Sequence, residues 1–398
     1  MDAKDTKKTD NTKKPYTKKI IAGILVLIAV ALIITEATGL TGVVQGFFNP
    51  EMYFTEVASI NHEPGSNPQV HGASSGFFLA TRDSVRFHNN DGTETFRAGH
   101  NMLNPVLFGR GDFAAILEEA GRIVNVYNTA GLLYSISADH PITSFSLSSS
   151  GFSVLIMYRG NGYNIHVYNN SGRLSFHGPH VDENVIPMLT DISHDGRILA
   201  ISYLDINDAQ MNSFINFFFT DISDYLAHDY DFGLHAASRE NLNQIIGSIG
   251  FLENGTLVAV SDTRIFGVNS ANGTTTWEIP VNNRISRVDF GGNWFAVSYG
   301  EGLLNRLGHA PGTVVGYNTS GSELFSFQAT GIADSLNIRG SNAIIGSDGH
   351  FTAISRSGQI LWEHSLPNVV NNMIILNSTD QVAITSPAET RVLRRVRQ

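Results

Sequence analysis

The chain has 398 residues, a formal net charge of −10 and no cysteine. Without cysteine there are no disulfides, thiolate zinc sites, cysteine nucleophile or lipidated-cysteine anchor, and an acidic body repels phosphate backbones, so nucleic acid is not an expected partner. The charge is unevenly divided: residues 1–19 hold seven lysines against three aspartates, which makes +4 and leaves −14 for the remainder.

Ile20 to Thr35 runs for sixteen residues without a charge. As a helix this spans about 24 Å against a hydrocarbon layer of roughly 30 Å. Tyr16 at headgroup level, snorkelling Lys18 and Lys19, and the mildly apolar Ala37–Val44 beyond Glu36 make up the difference. The reading is a lysine-rich cytoplasmic tail at 1–19, a transmembrane signal anchor at 20–40 and a stalk at 41–51. Lysines preceding an apolar segment stay in the cytoplasm, so residues 52–398 are expected outside a cell membrane that the chain crosses once. A cleaved signal peptide is the competing reading, with Thr35-Glu-Ala37 as a loose small-x-small site. The long lysine-rich lead and the glutamate within that site favour the uncleaved anchor.

Beyond the leader one phrase recurs six times, a β-branched and aromatic run followed by a turn ending in glycine. The copies are Val85-Arg-Phe-His-Asn-Asn-Asp-Gly92, Val124-Asn-Val-Tyr-Asn-Thr-Ala-Gly131, Ile165-His-Val-Tyr-Asn-Asn-Ser-Gly172, Ile265-Phe-Gly-Val-Asn-Ser-Ala-Asn-Gly273, Val314-Val-Gly-Tyr-Asn-Thr-Ser-Gly321 and Phe351-Thr-Ala-Ile-Ser-Arg-Ser-Gly358. A hairpin precedes each phrase, as in Ile142–Tyr158 and Ile285–Tyr299, so the unit is four antiparallel strands. The closing glycines lie 39, 41, 48 and 37 residues apart where they are consecutive, which is propeller spacing. The 101-residue gap between Gly172 and Gly273 holds one further unit, with its second hairpin expected at Phe217–Tyr225. Units begin near 68, 101, 140, 185, 243, 284, 333 and 369. The last has three runs, Asn372–Asn377, Gln381–Thr385 and Arg391–Val396, and Met52–Ile60 is placed to add the fourth strand and close the ring. The fold class is all-β, an eight-bladed β-propeller with seven blades as the alternative, preceded by one N-terminal transmembrane helix.

Two units carry a further mark, Thr263-Arg-Ile-Phe-Gly-Val-Asn-Ser-Ala-Asn-Gly-Thr-Thr-Thr-Trp277 and Gly349-His-Phe-Thr-Ala-Ile-Ser-Arg-Ser-Gly-Gln-Ile-Leu-Trp362. A turn glycine with a tryptophan a few residues on resembles the repeat of pyrroloquinoline-quinone-like propellers, including those of the outer-membrane-assembly type. The layout of lysine-rich tail, membrane helix and cysteine-free propeller resembles a family of Gram-positive bacterial membrane proteins classed as a domain of unknown function. The likeness covers residues 76 to 398 loosely, and WD dipeptides are absent. Quinone enzymes of the resembling fold carry a vicinal disulfide and calcium-binding acids, and no cofactor pocket of that kind can be matched here, so no quinone or other cofactor is expected. Trp277 and Trp362 read as packing residues between blades.

Fourteen histidines invite a metal reading. The dense stretches, His177-Gly-Pro-His180-Val-Asp182 and His228-Asp-Tyr-Asp231, lack both the helical i, i+4 spacing of hydrolytic zinc sites and the alternating acids of a calcium loop, and they read as solvated loops. No G-x-S-x-G elbow or phosphate loop is present, and adjacent acids such as Glu118 and Glu119 or Asp229 and Asp231 show no catalytic pairing by themselves. The N-x-[ST] triplets at Asn169, Asn254, Asn272, Asn318 and Asn377 read as turn residues. Arg391, Arg394, Arg395 and Arg397 read as charges protecting the solvent edge of a late strand, with contact to anionic lipid or wall polymer as the alternative.

In a four-strand meander the first and third turns fall on one face of the disc, and the second turn and the link to the next blade fall on the other. The long second turns Asp205–Ser213 and Gly300–Pro311 and the long link Asp224–Gln244 are thereby expected on one face, as a binding surface on a rigid scaffold. Its candidate contacts are Asp208, Tyr230, Asp231, Phe232, His235, Arg239, Asn305, Arg306 and His309. The functional expectation is a membrane-anchored extracytoplasmic propeller that binds an envelope protein or glycan without catalysis, as scaffold or sensor. The alternative is a glycan hydrolase or lyase of propeller type with acids in the central channel.

Overall fold

Every turn glycine that closes a repeated phrase has left-handed backbone: φ is 87° at Gly92, 140° at Gly131, 72° at Gly172, 72° at Gly273, 76° at Gly321 and 84° at Gly358. This is the geometry for which the repeat selects glycine. In the computed structural model, which describes residues 52–207, 211–221, 234–302, 310–366, 370 and 372–397, these turns join strands into eight sheets. Blades 1 to 3 are built on first strands Gln69–Ala73, Pro105–Arg110 and Ile142–Leu147. Blades 4 to 8 begin at Val185–Ile192, Ile246–Phe251, Asn283–Phe290, Ser335–Arg339 and Asn372–Ser378. The expectation of eight blades holds, with starts within a few residues of those read from the repeat. The compact unit is Thr55–Arg394.

The first strands touch one another in sequence around the ring, and that of blade 8 touches that of blade 1, which closes the circle. Blade 8 takes its fourth strand from the other end of the chain, in the order Met52–Asn61, Glu389–Arg397, Gln381–Thr385, Asn372–Ser378. The residues between the blades explain why middle strands are continuous apolar runs. Ser153–Met157 and Gly76–Ala80 are buried on both faces because a neighbouring sheet covers each. The core is therefore a set of seams: Val126, Tyr134 and Ile136 of blade 2 pack on Phe145, Leu147 and Leu155 of blade 3, and Val258 and Ile265 of blade 5 on Phe295 and Val297 of blade 6. Each such side chain contributes about 1.5–3 kcal/mol on burial.

Both repeat tryptophans sit in these seams, as their periodicity implied. Trp277 stacks on Phe295 of the next blade at 6.1 Å and donates its indole N–H to the Thr319 carbonyl at 3.1 Å. Trp362 is buried and donates to the Thr379 carbonyl at 2.9 Å.

Three readings are corrected. In blade 4 the second hairpin does not lie at Phe217–Tyr225. Asn212–Phe219 pairs instead with Leu234–Leu242, in the register Ser213↔Leu242 to Phe218↔Leu234. That fourth strand reads Leu-His-Ala-Ala-Ser-Arg-Glu-Asn-Leu, nearly free of β-branched and aromatic residues, so pairing alone makes it a strand. The stretch His177–Asp182 is part of blade 3: Leu174–His177 pairs with the third strand, the ladder breaks at Pro179, and Val181–Asp182 rejoins it opposite Gly162 and Tyr163. The arginine-bearing strand Glu389–Arg397 is no edge either, because it lies between Gln381–Thr385 and Met52–Asn61.

Candidate functional site: the mouth of the central channel

Most of the surface residues singled out by sequence lie outside the described residues: Asp208, Tyr230, Asp231 and Phe232, and Asn305, Arg306 and His309. His235 and Arg239 fall within Leu234–Leu242, where the backbone is described and these side chains are not. The strand ends nevertheless determine the rim from which each connection starts. Those after Asp205 and after Gly302 join second to third strands and share one rim. The connection from Phe219 to Leu234 joins third to fourth strands and belongs to the opposite rim. The expected gathering of three insertions on one face is therefore corrected, because the long segment is a third turn and not a link between blades. The expected transmembrane helix at 20–40 also lies outside the described residues, and among those described no helix is long and apolar enough to cross a membrane.

What the fold does bring together is a polar cavity of about 560 Å³ where the first strands end, with lining from every blade. His71, Arg110, Asp112, Asp289 and Arg339 are its principal polar members. Each stands on a first strand or in the turn after it, the innermost part of its blade.

Around the wall, side chains on one blade accept backbone N–H groups of the next. Asp191 Oδ2 accepts from Phe251 at 2.7 Å, Asp289 Oδ2 from Ile338 at 2.6 Å, Asn337 Oδ1 from Ile375 at 3.0 Å and Gln69 Oε1 from Leu107 at 3.0 Å. These bonds use the donors that a first strand leaves unpaired on its channel edge, and a buried donor left unpaired would cost about 1–3 kcal/mol. Asp289 and Asn337 are equivalent in register: each lies seven residues before its second-strand partner, Asp289 opposite Ala296 and Asn337 opposite Ile344.

Electrostatics distinguish the members. Burial raises the Asp191 carboxyl, opposed by the Arg110 guanidinium 3.5 Å away and by backbone N–H groups. Burial pushes Asp289 up to about 6, against the N–H groups of Ile338 and Phe290 and the more distant Arg110 charge. Burial pushes the His71 imidazole down to about 4, against its bond to the Gly111 carbonyl at 3.0 Å, and both Arg339 and Arg110 lower it further. Asp112 accepts from the Ser74 N–H at 2.6 Å and hydroxyl at 2.7 Å. Burial lowers Arg339, whose Nη1 donates to the Ile375 carbonyl at 3.2 Å.

None of these residues was singled out by sequence. The available signal was an acid or amide interrupting an apolar first strand just before the hairpin turn, as in Leu189-Thr-Asp-Ile192 and Arg287-Val-Asp-Phe290. At the other end of the channel, a cleft of about 750 Å³ between blades 5 and 6 is lined by Ile245, Val260, Ile285 and Val288 with Asp262 and Arg284.

No curated protein sequence matches the chain. Among solved structures, BamB from Moraxella catarrhalis is 15% identical with a TM-score of 0.52, covering 86% of this chain and 100% of that one. Sqt1 from Chaetomium thermophilum is 11% identical with a TM-score of 0.56, covering 87% and 100%. At such identities the likeness is one of fold, and it agrees with the propeller built above. Residues 54–394 match the profile of DUF5711, described as a family of unknown function, and the chain belongs to that family.

Proposed function

We propose that this protein is a membrane-anchored, extracytoplasmic propeller that binds an envelope protein or glycan as a non-catalytic scaffold or sensor. The observation that carries the non-catalytic part is the state of three aspartates in and behind the channel wall. Asp112, Asp191 and Asp289 each already accept hydrogen bonds from the protein's own N–H groups, so they serve the wall before any substrate arrives. The anchor rests on the charge-free run Ile20–Thr35 behind seven lysines. The enzyme reading draws on one specific observation, that Asp289 in the channel lining and the buried Asp191 bonded to Arg110 both have carboxyls held above the usual carboxylate range.

Two measurements test the proposal. Membrane fractionation with external protease on intact protoplasts should leave the full chain in the membrane fraction and digest the propeller while a cytoplasmic marker survives. A propeller that is digested only after lysis overturns the topology. Partner capture by the full chain should survive in the Asp191→Asn, Asp289→Asn double variant. Turnover of an envelope glycan by the wild type that this variant lacks would establish the enzyme instead.

A further inference from the structure

The channel mouth holds an imbalance between donors and acceptors. Arg339 offers five N–H donors, yet among the described residues its one acceptor is the neutral Ile375 carbonyl and it enters no ion pair, with Asp112 acting on it only at longer range. Arg110 reaches from blade 2 to Asp191 of blade 4 at 3.5 Å, the outer limit of a hydrogen bond, with its side chain 34% exposed. Two of the three acids in the lining are better supplied: Asp112 takes two bonds from Ser74, and Asp289 takes the N–H groups of Ile338 and Phe290, while Glu253 is the third. Both guanidiniums line the same cavity as His71. Room has been made for Arg339 as well: a Cβ on Gly72 would stand 2.7 Å from its Nη1, so this packing requires glycine there.

We propose that the mouth of the central channel is an oxyanion-binding site, in which the guanidiniums of Arg339 and Arg110 hold a carboxylate or phosphate group. A partly buried guanidinium with spare donors forms short, charge-assisted and often bidentate bonds to planar or tetrahedral oxyanions, and the low dielectric of the channel strengthens them. The cavity, at about 560 Å³, lies in the range that holds a small molecule, so a ligand the size of a sugar acid or sugar phosphate fits. This site stands whether or not residues 20–40 anchor the chain, so its failure and that of the topology proposal are separate results.

The test is calorimetry and thermal unfolding of the full chain in detergent, with inorganic phosphate, D-glucuronate and, as the neutral control, D-glucose. Phosphate, glucuronate or both are expected to bind saturably and raise the unfolding midpoint while glucose does neither; which of the two binds distinguishes a phosphate from a carboxylate ligand. Arg339→Gln and Arg110→Gln should each weaken binding at least roughly tenfold, the loss expected for a charge-assisted bond. Arg284→Gln at the opposite end should leave it unchanged. Glutamine retains a donor for the Ile375 carbonyl, and Arg110→Gln, which leaves that carbonyl alone, carries the test if the first variant does not fold. The proposal is overturned if the wild type shows no saturable response to either oxyanion at millimolar concentration. Equal weakening by Arg110→Gln and Arg284→Gln, a bulk charge effect, overturns it as well.

Discussion

Replacing Asp289 with asparagine should stabilise the protein near neutral pH, although it removes a side chain that hydrogen-bonds two backbone groups. The carboxyl is raised from 3.8 to about 6 in the folded state. A raised pKa means that stability from this group is full below the unfolded value and lost as pH rises through the folded one. Two pKa units correspond to about 3 kcal/mol, an upper bound because Asp289 lines the open cavity. Asparagine keeps one carbonyl oxygen for the Ile338 N–H, as Asn337 does for Ile375 in the next blade at 3.0 Å. It forfeits the second acceptor, used at 3.0 Å by the Phe290 N–H, at a cost of about 1 kcal/mol. The net expectation is a gain of about 1–2 kcal/mol near pH 7.5 that vanishes or reverses below about pH 4. Urea unfolding of wild type and Asp289→Asn across this range measures it, and the difference between the two curves cancels the other groups that titrate. A variant destabilised equally at all pH values would refute the argument, because Asp289 would then be an ordinary ionised staple.

His71 should show the opposite sign. Its imidazole is held down to about 4, so stability falls as pH drops from about 6.5 towards 4, and its ring proton resonance should not titrate between about pH 5 and 8 by NMR. The turn glycines offer a paired test. Gly321 has φ of 76° and a Cβ there would lie 2.5 Å from the Trp277 ring, whereas Gly255 has φ of 82° and nothing within 4 Å. Gly255→Ala should cost only backbone strain, about 1–2 kcal/mol, and Gly321→Ala at least about 1 kcal/mol more by forcing two blades apart; equal denaturation midpoints would contradict the seam geometry. Trp362→Phe should lose about 1–3 kcal/mol in the same assay by leaving the buried Thr379 carbonyl without its 2.9 Å donor.

Sequence served well wherever one residue type had one physical use. Glycine at the end of Val85–Gly92 or Val314–Gly321 is required by left-handed backbone, and spacing between such glycines is blade length. It failed at Leu234–Leu242, where alanine, serine and glutamate become a strand because Asn212–Phe219 offers an unpaired edge. That one error moved a long connection from one rim to the other. Sequence foresaw that Met52–Ile60 returns from the far end of the chain to close the ring, yet it misread the charges of Glu389–Arg397, which that strand covers, as edge protection.

The candidate site shows the same division. Sequence alone determined that hairpins repeat, that tryptophans at 277 and 362 lie in seams, and that no thiol chemistry is available, because these depend on local dihedrals, periodicity and composition. Only the closed ring decided that Arg110, Asp289 and Arg339, spread over three blades, share one cavity, and that Arg110 reaches Asp191 of a fourth. The shifts at Asp191, Asp289 and Arg339 and the guanidinium donors left over depend on burial and on neighbours dozens of residues away, and a one-dimensional pattern carries neither.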